Sequence, residues 1–594
     1  MRIVHAEPHE SRFPVFPMKD YSSPSRRSFL RIAGLTLGAP FLPRVLTSAF
    51  AAPVLPDFKS LTLEQQVGQM VIARQLEWPL MEKYAKQGII SGMTPPLTKL
   101  SLAEVAEFTN RFQTLSPIPL LFGWGGTSYS GGTSVRLQQT MRLGATRNPA
   151  LCRAAGRIEA TEARALGFHF AGAPVLDVNL NPENTIINVR SIGDDVELVT
   201  QLGAELAEGT LEGGAVPIFM HFPGHGATRG DSHIEMPEAQ RSLAELNAVE
   251  LRPFRELIQR GLARVICTNH CYYPALETER KIPSTISRTI VTGLLREKLG
   301  YEGVILSDSL TMKPIKDNYG IEEAAVATVA AGHDLILQDY NSDPKITIDA
   351  LVRAVRQGRI PLTQVEQSVK RVWKLKKELG LFEQRLVDPA RIPLVFGNPA
   401  NAELARRMAR ESVTLLENHA GSLRDSSRSI VVISNGSAAV VDEDNAIKHS
   451  PTNHHLNEEM RRRVSTTQSF VLSTAMKPEE MAHALAAART ADIVVFGLFT
   501  RVRAYSEDAI RVSKPYRELI EGAIAAGRTV ALLNFGNPYS LNELPKPAFS
   551  LCTYCDAEES IDAAVQVLFG ELKPQGKLPV RISAAYPFGH GLRT

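Results

Sequence analysis

The sequence predicts an α/β protein in two parts, a (β/α)8 TIM-type barrel followed by an αβα three-layer sandwich. Its 594 residues are too many for one hydrophobic core. Short apolar runs alternate with amphipathic helical patterns, the rhythm of repeated βα units. The residues that carry chemistry fall just after those runs, where a barrel places its working groups.

The N-terminus is set aside first. Ser25-Arg26-Arg27-Ser28-Phe29-Leu30 precedes an apolar stretch at 32–42, and Ser48-Ala49-Phe50-Ala51-Ala52 has small residues at the offsets for cleavage after Ala51. This is the pattern of a twin-arginine export signal over 1–51. Its apolar run is well short of the roughly twenty residues that cross a bilayer, and no cysteine stands at the cleavage site for a lipid. The expected location is periplasmic or secreted, with no membrane anchor after cleavage. Residues 1–51 hold seven Lys or Arg and three Asp or Glu, so the whole-chain charge of +3 becomes −1 for the remainder. That balance gives no case for nucleic acid as a partner. With 44% apolar and 22% charged residues and no run of like charge, the composition also excludes a disordered or polyelectrolyte class.

Barrel strands are expected at 88–90, 119–122, 173–178, 215–220, 265–267, 304–307 and 334–337, with helices at 148–166, 196–212, 243–260, 289–298 and 321–331. The barrel is drawn over 52–386. Val387-Asp388-Pro389-Ala390-Arg391-Ile392-Pro393 opens a linker over 387–400. The sandwich follows over 401–594, with strands at 429–434, 493–498, 529–534 and 550–553 and helices at 478–490 and 515–526.

The five cysteines, Cys152, Cys267, Cys271, Cys552 and Cys555, are an odd number and argue against a disulfide framework. Cys552-x-x-Cys555 has the spacing of one local bridge; buried free thiols are the other account.

The densest motif is His221-Phe222-Pro223-Gly224-His225-Gly226, followed by Gly230-Asp231-Ser232-His233, with Ser307-Asp308 further on. An Asp and His in close reach plus a separate carboxylate are the parts of a two-step displacement at a sugar carbon. Asp308 ends an apolar run, where it would sit at a barrel mouth and attack an anomeric carbon; capping the following turn is its plainer role. His233 suits general acid/base work because imidazole titrates near neutral pH, and Asp231 would hold its ring and favour the protonated form. His221, His225, Asp231 and His233 are also four possible metal ligands within thirteen residues.

With those residues in view, the chain resembles family 3 glycoside hydrolases, in their bacterial β-N-acetylglucosaminidase branch. The likeness runs from Leu61-Thr62-Leu63-Glu64-Gln65-Gln66-Val67-Gly68-Gln69-Met70 through 173–179, Arg190-Ser191-Ile192-Gly193, Pro283-Ser284-Thr285-Ile286-Ser287 and 301–312 to Pro587-Phe588-Gly589-His590-Gly591-Leu592. The resemblance implies Asp308 as nucleophile, His233 with Asp231 as acid/base pair, and Arg190 and His221 as substrate contacts. It implies no cofactor and no metal. His225 would brace the loop, and His270 would be structural.

Two positions depart from the family pattern. Met220 stands where a lysine usually precedes the histidine motif. After Pro119 the usual Asp-Gln-Glu-Gly-Gly is replaced, so that Gly125 or Ser128, depending on the alignment, occupies the position of a sugar-binding Asp. Losing a charged donor and a charged acceptor would cost several kcal/mol of sugar binding, at about 1.5–3 kcal/mol for each hydrogen bond to a charged group. Trp124 or Tyr129 would stack on a ring face instead.

The expected activity is that of a retaining exo-β-glycosidase, most like a β-N-acetylhexosaminidase acting on cell-wall or chitin-type oligosaccharides. A glycoside phosphorylase is a close variant, since a histidine acid/base does not repel phosphate. A non-catalytic carbohydrate-binding protein on the same fold is the competing class. The loop Thr500-Arg501-Val502-Arg503-Ala504-Tyr505-Ser506 has donors enough to reach a ligand, and a solvated surface is its default reading.

Overall fold

The computed structural model describes residues 58–593, apart from 74–77, 95–99, 124–133, 136, 138, 172–173, 339–341, 422–427, 436–437, 442–446, 450 and 473–475. The first sheet is wholly parallel. Its strands are β1 (Val71–Ala73), β2 (Gly92–Met93), β3 (Leu121–Phe122), β4 (Ile218–Phe222), β5 (Val265–Thr268), β6 (Val304–Ser309) and β7 (Leu335–Leu337), in the order β3-β2-β1-β7-β6-β5-β4. The two outer strands are bridged by the segment around residue 169. His169 N–H donates to Phe122 O, Val216 N–H donates to His169 O, and Phe170 and Val175 form single bridges to Val216 and Met220. That segment fills the eighth strand position and closes the barrel.

The surrounding helices start where the sequence supplies caps. Asn148 accepts from Leu151 N and is followed by Pro149, starting helix Pro149–Ala165, and Asp195 accepts from Leu198 N to start Val196–Glu212. The helices 196–212 and 478–490 fall as expected, and 148–166 differs by a residue at each end. The stretch 243–260 forms two helices, Leu243–Ala248 and Leu251–Gln259, and 289–298 is a π-helix. The helix expected at 321–331 falls as expected, separated from a preceding helix at 313–319 by the non-helical backbone of Gly320.

Two strand expectations are corrected. The run at 88–90 is buried but unpaired, and pairing begins at Gly92, where a Cβ would meet the Leu121 carbonyl. Only glycine lets these two strands lie together at that point. Of the run expected at 173–178, the described residues 174–178 make one bridge and no ladder; the Asp177 carboxylate, not a backbone carbonyl, receives the N–H groups of His221 and His225.

The second sheet has the order β12-β9-β13-β14-β15-β8, with β8 (Thr414–Asn418), β9 (Ile430–Asn435), β12 (Gln468–Leu472), β13 (Ile493–Leu498), β14 (Thr529–Asn534) and β15 (Phe549–Cys552); a hairpin, β10 (Ala438–Val441) and β11 (Ile447–His449), lies apart. All neighbours are parallel except β8 against β15. Side chains alternate between two helical layers, as a strand's period of two requires. Val431, Ile433, Val494 and Phe496 pack under helices Pro478–Thr490 and Lys514–Ala525. Ile430, Val432, Ile493 and Val495 pack under Pro451–Arg463 and Glu558–Leu568.

Between the sheets the chain is not loose. Asn110 binds both the N–H and the C=O of Val387, and Ile392, in the short helix Ile392–Phe396, enters the barrel's apolar cluster. All five cysteines are buried free thiols, Cys552 and Cys555 included. Among the described residues, no helix is long and apolar enough to cross a membrane.

Candidate active site

The site is assembled from the ends of the parallel strands and the loops that follow them. Strand β4 runs into His221, and the turn beyond it packs so closely on the 178 backbone that a Cβ at Gly226 would strike the Val178 carbonyl. Gly230, at φ +88, gives the chain the left-handed bend that delivers Asp231.

His221 sits with its Nδ1 2.7 Å from Asp177 Oδ2. Asp177, wholly buried, also accepts from His221 N–H at 3.2 Å and His225 N–H at 2.6 Å. Burial alone would raise this carboxyl; the facing His221 and His225 outweigh it and hold it below its ordinary range. Asp177 is therefore an anion that orients His221 and leaves the ring's Nε2 for the mouth. His225 shares a 2.6 Å hydrogen bond with Thr228 Oγ1, and burial pushes its imidazole down to about 4, so it is a neutral brace.

The second pair repeats the first in a shallower place. His233 Nδ1 lies 2.7 Å from Asp231 Oδ1, and His233 N–H donates to the same oxygen at 2.8 Å. Burial would raise the Asp231 carboxyl, and its bonds to His233 and Tyr505 bring it below the ordinary value instead. The His233 side chain is 26% exposed against 7% for His221, so only this imidazole meets solvent freely.

Asp308 is the penultimate residue of β6 and accepts from Ser309 N–H at 2.7 Å. Burial pushes its carboxyl up, and His270, His221, His233 and the Ser309 N–H pull it net below the ordinary range. His270 is itself lowered by burial, and it is fixed between Thr285 Oγ1 at 2.8 Å and the Ser309 carbonyl at 3.0 Å. It thus holds the backbone beside Asp308 as an uncharged dipole at neutral pH.

Arg190, at the end of the 3-10 turn Asn188–Arg190, donates to Ile186 O at 3.0 Å. Burial pulls its guanidinium down from the ordinary value, and the Asp177, Asp308 and Asp231 carboxylates oppose that pull. The structure thus gathers Asp308, His233, Asp231, Arg190 and His221 within electrostatic reach of one another. Met220 stays in the apolar interior of the barrel and points no polar atom at the mouth. Trp124, Gly125, Ser128 and Tyr129 lie outside the described residues.

The four possible metal ligands pair off separately: His221 with Asp177, His225 with Thr228, and His233 with Asp231. Among the described residues, the one cluster with ligand spacing is His455, Glu459 and Asp562 in the second domain. Glu459 there is already engaged by Arg462 and Arg463, cations that a metal ion would have to face.

Sequence reasoning missed Asp177 and Tyr505. Asp177 ends an apolar run just as Asp308 does, so the same signal would have found it. The 500–506 loop is not simply the solvated surface expected of it: Val502 and Ala504 pack on the barrel's apolar cluster, and Tyr505 N–H donates to Asp231 Oδ2 at 2.6 Å. Nothing local in the sequence announces that contact across 274 positions.

With this geometry, ionised Asp308 can attack a carbon, an Asp-backed imidazole can move a proton, and Arg190 and His221 can bind hydroxyl or carbonyl groups. Residues 62–375 match the profile of the glycosyl hydrolase family 3 N terminal domain, and 410–590 match that of its C-terminal domain. The chain is 32% identical over 273 residues to "Beta-hexosaminidase A" of Pseudoalteromonas piscicida, covering 43% of this chain and 45% of that one. It is 29% identical over 339 residues to "Beta-N-acetylglucosaminidase/beta-glucosidase" of Cellulomonas fimi, covering 55% and 59%. The chain thus spans about half the length of these two curated relatives. Among solved structures it is similar to a family 3 β-N-acetylglucosaminidase of Paenibacillus sp. str. FPU-7, with a TM-score of 0.78 and 31% identity over 88% of this chain and 99% of the other.

Proposed function

The chain belongs to glycosyl hydrolase family 3, and from that premise we propose that it is a retaining exo-β-glycosidase releasing terminal β-linked N-acetylhexosamine from cell-wall or chitin-type oligosaccharides. The observation that carries the reading is the convergence of an ionised carboxylate at the end of β6 with an imidazole backed by its own carboxylate. The names of the relatives, β-hexosaminidase and β-N-acetylglucosaminidase, support this choice of sugar.

In the first step an Asp308 carboxylate oxygen attacks the anomeric carbon as the glycosidic C–O bond breaks, and His233 Nε2 passes its proton to the leaving oxygen. The Asp231 carboxylate stabilises the imidazolium before transfer and holds the ring in place. In the second step neutral His233 removes a proton from water, which attacks the same carbon and releases Asp308. Arg190 and His221 hold the sugar by donating to its hydroxyl or N-acyl oxygens. The twin-arginine pattern of residues 1–51 supports action in the periplasm or outside the cell. Replacing Arg26 and Arg27 by lysine should leave the protein in the cytoplasm on fractionation.

The test is nitrophenol release from aryl β-glycosides of N-acetylglucosamine, glucose and xylose, by wild type and Asp308→Asn. Release from the N-acetylglucosaminide that falls at least about a thousandfold in the variant is expected, because the variant removes the attacking atom. Equal release by both proteins would sink the assignment of Asp308. Phosphate is a second acceptor that a histidine acid/base would admit, so a glycosyl phosphate formed in phosphate buffer would assign phosphorolysis instead.

A further inference from the structure

The second domain reaches the acid/base pair directly. Its loop leaves β13 and is fastened at its base by an ion pair between Arg501 and Asp556 and by a hydrogen bond from Asn537 N–H to Thr500 Oγ1 at 2.9 Å. Arg501 N–H donates back to Ala509 O at 3.1 Å, making the loop a closed finger. Tyr505 at its tip has φ +63, a left-handed conformation that a bulky residue adopts only when its surroundings impose it. That bend aims its N–H at Asp231 Oδ2, the oxygen that His233 does not use. The tyrosine ring meets the His233 ring edge to face, with centroids 5.1 Å apart.

We propose that Tyr505 is a positioning residue of the proton-transfer pair: its N–H fixes the Asp231 carboxylate and its ring holds the His233 imidazolium against it. This rests on the glycosidase reading for its kinetic consequence but not for its physical one. A carboxylate tied by one oxygen alone can swing, whereas Asp231, held at both oxygens, keeps the acceptor that His233 Nδ1 needs. In this edge contact, an imidazole edge turned to the tyrosine face would also favour the charged form. Among the described residues, the charged or titratable groups coupled to His233 are Asp231 on its own segment, Asp308 on β6 and His270 after β5, with Arg190 facing Asp231 and Lys313 donating its backbone N–H to the His233 carbonyl.

The variants are Tyr505→Gly, which suits φ +63, keeps the N–H to Asp231 and removes the ring alone, and Tyr505→Phe, which keeps both. Both are measured in the full chain, with melting temperatures as a folding control. In Tyr505→Gly, the kcat for an aryl glycoside with a poor leaving group should fall about three- to tenfold at little change in KM. The basic limb of its pH profile should move about half a unit lower, as the charged imidazole loses an aromatic neighbour. Tyr505→Phe should restore both. Independently of turnover, the His233 imidazole signal, assigned with His233→Gln in isotope-labelled protein, should titrate lower in Tyr505→Gly than in wild type. An unmoved His233 titration overturns the proposal even if the protein shows no glycosidase activity at all. A rise in KM with the pH profile intact overturns it too, because it would make Tyr505 a substrate contact.

Discussion

The mouth of the barrel holds two Asp–His pairs joined by the same 2.7 Å contact, and they are supported from opposite directions. Asp177–His221 is held entirely by the barrel: its carboxylate takes two backbone N–H groups from the β4 loop, and both side chains are nearly sealed. Asp231–His233 is shallower and takes its last donor, Tyr505 N–H, from the other domain. A sealed pair makes a fixed donor with little freedom to exchange protons. An open pair, clamped from outside, can cycle its charge while keeping its aim. On the proposed reading the same two residue types would serve binding in one place and proton transfer in the other, with the surroundings deciding which.

The sharpest way to break this contrast is to truncate each imidazole. His233→Ala should lower kcat on a poor leaving group by about 10²–10⁴, and by much less on an activated one, as lost acid catalysis requires. His221→Ala should act chiefly through KM, with kcat/KM down about ten- to a hundredfold from a lost hydrogen bond. Matching kinetic profiles for the two variants would erase the distinction.

Next in size is the cost of replacing each carboxylate with an amide. Asp177→Asn puts a hydrogen-donating amide where three N–H groups converge, so it should destabilise the fold by about 2–4 kcal/mol in urea denaturation. Asp231→Asn should cost about 1–2 kcal/mol while damaging turnover more. The reverse order of stability losses would mean that the interdomain contact, not the sealed pair, is the structural one.

The smallest effect is the dependence of melting temperature on pH. Asp177, Asp231 and Asp308 all titrate below their ordinary 3.8, so the stability they contribute is complete above that pH and is lost as pH falls through their lowered values. His225, pushed down to about 4, stays neutral in the fold while its unfolded form takes up a proton below about 6.5. The fold therefore gains stability as pH rises from about 4 to 6.5. Calorimetric scans should show this rise, and it should persist in Asp177→Asn, because the Asp177 carboxylate opposes the lowering of His225 rather than causing it. A melting temperature that falls across that interval would contradict the neutral state assigned to His225.

Legibility in the sequence followed burial. Strands β13 and β14 stood out to the residue because they are central and carry unbroken apolar runs, Ile493–Phe496 and Val530–Leu533. Strand β12 was missed because it is an edge strand, with Gln468 exposed and its middle only half-buried. Strand β8 was missed because it is antiparallel and ends in Glu417 and Asn418. Strand β1 has only three residues, too few to show a period. At the site, Asp308, Asp231 and His233 were legible because each lies in a short local motif. Tyr505 was not, since its role depends on a fold-level encounter between two domains.

The packed connection between those domains has one more consequence. A floppy tether would leave the Tyr505 finger at an effective concentration of millimolar order near Asp231, arriving and departing by diffusion. With Val387 pinned by Asn110 and Ile392 seated in the barrel, the two surfaces are already neighbours. The entropy of bringing them together is lost once, when the chain folds, and no catalytic cycle has to repeat the search.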